Sequence, residues 1–315
     1  MTIARFLATR LLAGAVVLWA AATLTFLMMH LAGGDTAIAI LGGPDAMPSE
    51  AQIAKVRAEY GLDRPLVAQY GDFLLRLTQG NLGQSYRLRI PVADAIGRQL
   101  VPTIALALSA AAVSVVLAIV VAVATARPLP GRRGEARRAI ASTSELILIA
   151  MPVFVIGLVL LLAFSVWLPL FPIVNGPGWR GLVLPALTMA LPLAAVMSQI
   201  LREGLEDVLE QPFILTARSR GLSDAGVRLR HALRHAATPV LTLAGFFLAL
   251  LIGGAVITES LFARPGIGRL MVDAANAGDL PVVVGVTLLT ALAYVVASIL
   301  VDLIGALIDP RTVSA

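Results

Sequence analysis

Six stretches of the chain run without a single Asp, Glu, Lys or Arg: Leu11–Leu31, Leu100–Ala126, Leu146–Leu168, Leu182–Leu201, Ala236–Thr258 and Pro281–Val301. Their lengths lie between 20 and 27 residues. A helix needs about 20 residues to cross roughly 30 Å of hydrocarbon, so each is long enough to span a bilayer. A membrane β-barrel would show alternating segments of about ten residues instead. The pattern predicts an all-α integral membrane protein with six transmembrane helices. Pro152, Pro169 and Pro172 can kink or shorten the third. The first follows Arg5 and Arg10 and contains Ala20-Ala21-Ala22, as a signal peptide would. Its apolar run continues to Leu31, so it is read as a signal anchor.

The polar connections set an orientation. Arg5 and Arg10 precede the first stretch, and the connection 127–145 carries Arg127, Arg132, Arg133, Arg137 and Arg138. The connection 202–235 carries Arg202, Arg218, Arg220, Arg228, Arg230 and Arg234, whereas the one after the third stretch has only Arg180. Basic segments alternate with poor ones, which by the positive-inside rule predicts both termini in the cytoplasm. Residues 32–99 then lie outside, a connection long enough to escape the rule. Within it Ser49 and Gln52 have capping-box spacing, predicting a helix from there to Tyr60 that stops at Gly61. A second helix, from about Leu66 to Gln79, places Val67, Tyr70, Phe73, Leu74 and Leu77 on one face. Together they predict a small helical cap on the outer surface, either in contact with an external partner or packed only against its own bundle. In 202–235 a helix from Arg202 breaks near Pro212, a short helix runs to Gly221, and another starts at Asp224 with Ser223 as its cap. Two divisions follow: 1–99, first span plus external helical loop, and 100–315, five spans plus the loop 202–235.

Composition sharpens this. Of the 315 residues 58% are hydrophobic and only 14% charged, with mean hydropathy +0.90, where a soluble domain averages about 25% charged. A soluble enzyme and a nucleic-acid binder are excluded. The net charge of +5 is explained by the basic loops. The chain has no cysteine, which removes disulfides, Cys-ligated metal and cysteine nucleophiles. Lys55, the only lysine, sits between Ala54 and Val56, so no phosphate-binding Gly-Lys-Ser/Thr loop exists. His231 and His235 have metal-ligand spacing but no apparent third ligand. With no carboxylate in any apolar stretch a proton relay is disfavoured, and a transporter of this kind would draw its energy from a partner docking on 202–235.

That segment also carries a family resemblance. Leu215-Thr216-Ala217-Arg218-Ser219-Arg220-Gly221-Leu222, followed by Leu229-Arg230-His231-Ala232-Leu233-Arg234-His235 and Thr238-Pro239-Val240, resembles the coupling loop of ABC importer permeases of the dipeptide/oligopeptide/nickel family, first-permease type. Elsewhere, Tyr60-Gly61-Leu62-Asp63-Arg64-Pro65, Gly80-Asn81-Leu82-Gly83-Gln84-Ser85, Pro102-Thr103, Glu259-Ser260-Leu261-Phe262, Pro265-Gly266-Ile267-Gly268, Asp279-Leu280-Pro281-Val282-Val283 and Asp309-Pro310-Arg311 match its other motifs in order. The chain departs from the family at Leu215 (usually Arg), Asn81 (Asp), His235 (Asn), Val284 (Gln) and Gly305 (Tyr). The resemblance implies a non-catalytic subunit of the bacterial inner membrane that moves di- or oligopeptides by alternating access. It implies a second, homologous permease, two cytoplasmic ATPases that bind the ATP and Mg, and an extracytoplasmic substrate-binding protein. Thr216, Ala217, Arg218, Arg220, Gly221 and Leu222 would form the ATPase-coupling element. Nickel, glutathione or another small solute is the alternative cargo, and an ATP-independent channel the alternative class.

Overall fold

The structure is a computed structural model that describes residues 3–31, 36–41, 46–126, 132–174, 176 and 178–308. Arg127 and the Asp309-Pro310-Arg311 motif lie outside the described residues. Helices dominate, and among the described residues the only extended pairing is an isolated bridge between Gln84 and Pro91. Four of the six apolar stretches lie in helices long and apolar enough to cross a membrane without a break: α1 (Ile3–Leu31), α5 (Val92–Thr125), α8 (Arg180–Leu209) and α15 (Leu280–Ile308). The third stretch does not continue straight. It is shared between α6 (Arg132–Ala150) and α7 (Val153–Leu161), which meet at a bend of 111° and continue into a π-turn over Leu162–Trp167. Pro152 sits at the bend, where it has no N–H to carry the α6 ladder onward. The fifth is divided among α11 (Leu233–Ala236), α12 (Thr238–Thr242) and α13 (Ala244–Leu261).

The chain forms two compact units. One comprises residues 1–103, 265–299 and 311–315, the other 104–264 and 300–310.

In the first unit, α3 (Glu50–Tyr60) opens with the anticipated capping box. Gln52 N–H donates to Ser49 Oγ, Gln52 Oε1 accepts from Ser49 N–H at 2.9 Å, and Gly61 closes the helix at φ +64°. Next, α4 (Leu66–Thr78) lays its apolar face on the end of α1. The Phe26 ring stands 5.2 Å from Tyr70 and 5.5 Å from Phe73, and Thr23 Oγ1 lies 2.6 Å from the Tyr70 hydroxyl. Val67 departs from the expected face and is 82% exposed. The cap is thus held by its own first helix; Tyr70 and Phe73 are already engaged. A short helix, α2 (Thr36–Ile40), precedes it, and α14 (Ile267–Asn276) packs Ile267 and Ala274 with Val92, Ile96, Val282 and Val286 into a second small core. Close approach needs glycine here: a Cβ on Gly285 would fall 2.5 Å from Val92 Cγ1.

In the second unit α8 is the central element. Its apolar stretch is 67% buried, against 17–22% for the other three unbroken spans. Leu193, Met197, Leu201, Leu205 and Leu209 line the main core with Leu106, Ala110, Ala118 and Ala122 of α5. The helix expected to start at Arg202 is the uninterrupted end of α8.

Candidate functional site

Leaving α8 at Leu209, the chain turns at Gln211, whose extended backbone (φ −70°, ψ 145°) hands over to Pro212. Proline suits that first helical position, because its missing N–H would have no partner there and its φ is already helical. The resulting helix α9 (Pro212–Ser219) buries Ile214 and Ala217 in the main core and leaves Leu215 69% exposed. Gly221 reverses the chain at φ +81°, and its N–H bonds to Arg218 C=O at 2.9 Å. Ser223 then caps α10 (Asp224–Gly226), accepting from Gly226 N–H at 3.2 Å, and the helix widens into a π-turn over Val227–Ala232. The anticipated break, short helix, glycine turn and serine cap are all present.

The six residues Thr216, Ala217, Arg218, Arg220, Gly221 and Leu222, expected to form the coupling element, therefore fall into two groups. Ala217 is buried and Leu222 half-buried, so both anchor the loop; Thr216, Arg218, Arg220 and Gly221 are exposed. Arg218 donates to Asp224 Oδ1 at 3.0 Å, so its charge is already paired. Asp224 Oδ2 also holds Arg228 at 2.6 Å, and Arg228 Nη1 donates to Val123 C=O on α5 at 2.8 Å. Asp224 and Arg228 thus brace the loop against α5. Sequence reasoning passed over this role, although their i, i+4 spacing on a helix was a visible signal. The His235 ring stands 5.5 Å from Phe213, and among the described residues no group of three or more His, Asp or Glu side chains is placed to hold a metal ion.

Behind the loop lies a polar node that the apolar pattern did not announce. Glu145 and Arg202, only 4% and 7% exposed, form a two-pronged ion pair between α6 and α8. Ser198 Oγ donates to Glu145 Oε1 at 2.8 Å, and Arg202 Nη1 reaches Thr125 Oγ1 of α5 at 3.1 Å. Seven residues earlier on α6, Arg138 pairs with Glu206 at 2.8 Å.

A second node sits in the first unit. The Asp279 carboxylate, 3% exposed, accepts from Ser85 Oγ, from Tyr86 N–H at 3.1 Å and from Arg87 N–H at 3.3 Å. It clasps the 80–91 loop to the turn before α15. Asp279→Ala would leave the buried Ser85 hydroxyl without this acceptor, at about 1–3 kcal/mol, and release the Tyr86 and Arg87 amides. The expected outcome is a purified chain that melts lower and is cut faster by protease in 80–91. An unchanged melt and digest would show that the clasp is dispensable.

The helices and polar loops described above define a helical membrane protein of the permease type. Residues 118–314 match the family model described as "binding-protein-dependent transport system inner membrane component", and residues 3–107 match its N-terminal companion. The chain is 35% identical over 294 residues to the glutathione transport system permease protein GsiC of Escherichia coli O6:H1, covering 93% of this chain and 94% of that one. It is 37% identical over 298 residues to a protein named as a peptide transport system permease in Brucella abortus strain 2308, covering 92% and 93%. The chain belongs to the inner-membrane permeases of binding-protein-dependent ABC transport systems.

Proposed function

We propose that this chain is the subunit through which peptides enter the cell, by alternating access powered by ATPases that dock on Thr216–Leu222. In this reading both termini, 127–145 and 202–235 are cytoplasmic and 32–99 is external. Residues 1–99 supply the first span and outer cap, and 100–315 the permease core. A homologous permease completes the path, a binding protein delivers the cargo, and ATP and Mg are held by the partner subunits; this chain catalyses nothing.

The observation that carries the reading is the build of the loop. Ile214 and Ala217 fix α9 from beneath, Asp224 and Arg228 brace it from the side, and it presents Leu215 and Arg220 outward. A rigid base under an exposed apolar and cationic surface suits docking against a protein that must push on it. The names of the peptide and glutathione permeases support the cargo class, and glutathione, being itself a small peptide, is the specific second reading.

Single cysteines in this cysteine-free chain test the topology. Ser219→Cys should label only after the membrane is permeabilised, and Gln79→Cys from outside; the reverse result rejects the orientation. Arg220→Ala should weaken ATPase co-purification, more so in high salt, because exposed charge pairs are screened. Unaltered co-purification at low salt argues against a charged contact there.

A further inference from the structure

We infer that the Glu145–Arg202 and Arg138–Glu206 pairs are a register lock that makes α6 and α8 move as one body, carrying displacement of the 212–222 loop to the bend at Met151–Pro152. The inference rests on the docking role proposed above for that loop.

The two pairs join the same two helices, antiparallel here, with opposite polarity. On α6 the acid is Glu145 and the base Arg138; on α8 the base is Arg202 and the acid Glu206. A slide of α8 along α6 in one direction carries Glu206 toward Glu145. In the other direction it carries Arg202 toward Arg138. Either way like charges converge, in a setting where the inner pair is buried and poorly screened. The observed register pairs all four of these charges.

Stability alone does not account for such an arrangement. A buried ion pair is often no better than well-packed apolar side chains of the same volume, and its best-attested use is to specify register. Position points the same way. Arg202 lies on the helix that runs straight into the turn before α9, and Glu145 lies on α6 shortly before the 111° bend. Thr125 ties the end of α5 to the same guanidinium, and α5 also receives Arg228 from the loop. A push on α9 therefore meets a braced α5–α6–α8 body, and the interrupted ladder at Pro152 is where that body ends.

The test separates register from stability. Arg138→Glu combined with Glu206→Arg keeps both ion pairs but gives the two paired positions on each helix a single sign of charge, so a slip that brings them together is no longer repelled. Spin labels on Thr143→Cys and Glu203→Cys, both exposed positions, report the α6–α8 distance in the complex assembled with its ATPases. With the native pairs the distribution should be narrow, and unchanged by ATP and Mg. With the exchanged pair it should broaden even without nucleotide. Labelled dipeptide or glutathione transported per ATP hydrolysed should fall about fivefold, the lower end of coupling between distant sites. Equal widths and equal transport ratios in the two complexes would overturn the lock and leave the docking reading intact. A native complex that never co-purifies with ATPase would instead remove the docking reading, and force transmission with it, while the nucleotide-free widths still decide the lock.

Discussion

Arg202→Met should deplete the membrane of folded chain. The substitution leaves the Glu145 carboxylate buried with Ser198 as its remaining hydrogen-bond donor in the node. Breaking a buried pair from one side costs about 3–5 kcal/mol, a large part of the 5–15 kcal/mol by which a domain is typically stable. Glu145→Met strands the guanidinium instead and should act in the same direction. The double variant Glu145→Met/Arg202→Met, with no charge left to desolvate, should recover much of the loss. Fluorescence-detected size exclusion of the three variants reads this directly. Similar monodisperse yields for the single and double variants would mean that the pair is solvated in the assembled protein.

Gly221→Val should separate assembly from coupling. At φ +81° a side chain with a Cβ is strained, by roughly 1–2 kcal/mol, and a β-branched one is a poor occupant of that region. Beyond the adjoining residues no atom lies within 4 Å of where that Cβ would stand, so the core beneath would not be crowded. In the docking reading proposed above, the new bulk would project into the space the ATPase fills. Membrane insertion should be intact, and substrate-stimulated ATP hydrolysis in the reconstituted complex should fall at least about tenfold, equivalent to 1.4 kcal/mol. Gly221→Asn divides the two causes, since asparagine tolerates the left-handed region. If Asn couples normally, backbone strain is the whole effect; if it fails as Val does, the added bulk is. Wild-type hydrolysis in both variants would falsify the coupling role of this turn.

Local features were the most legible in the sequence. The Ser49–Gln52 box, the stop at Gly61, the turn at Gly221 and the cap at Ser223 each depend on residues within a few positions of one another, and each is found as expected. Unbroken apolar runs gave α1, α5, α8 and α15, because length and hydropathy alone decide whether a helix can span. The third stretch was flagged by its prolines and does bend at Pro152. Division of the fifth at Ala237 and Leu243 was missed: Pro239 stood beside the first break and was passed over, and the second has no proline near it. Glu145 and Arg202 were missed for a related reason. Each stood just outside an apolar stretch and was read as its border, and a partner 57 positions away cannot be seen from either side. A still longer separation hid the role of Asp279, whose donors lie more than 190 residues earlier.

The prolines of α8 have a consequence for what must surround it. Pro185 and Pro192 cannot donate to the carbonyls four residues before them, those of Gly181 and Thr188. In hydrocarbon an unanswered carbonyl is costly, and such interruptions persist in membrane helices only where neighbouring groups or water answer them. A helix facing lipid would have neither. Helix α8, among the unbroken spans the one most enclosed by protein, is therefore also the one whose neighbours can answer two such interruptions, and its burial is what lets one span carry both prolines.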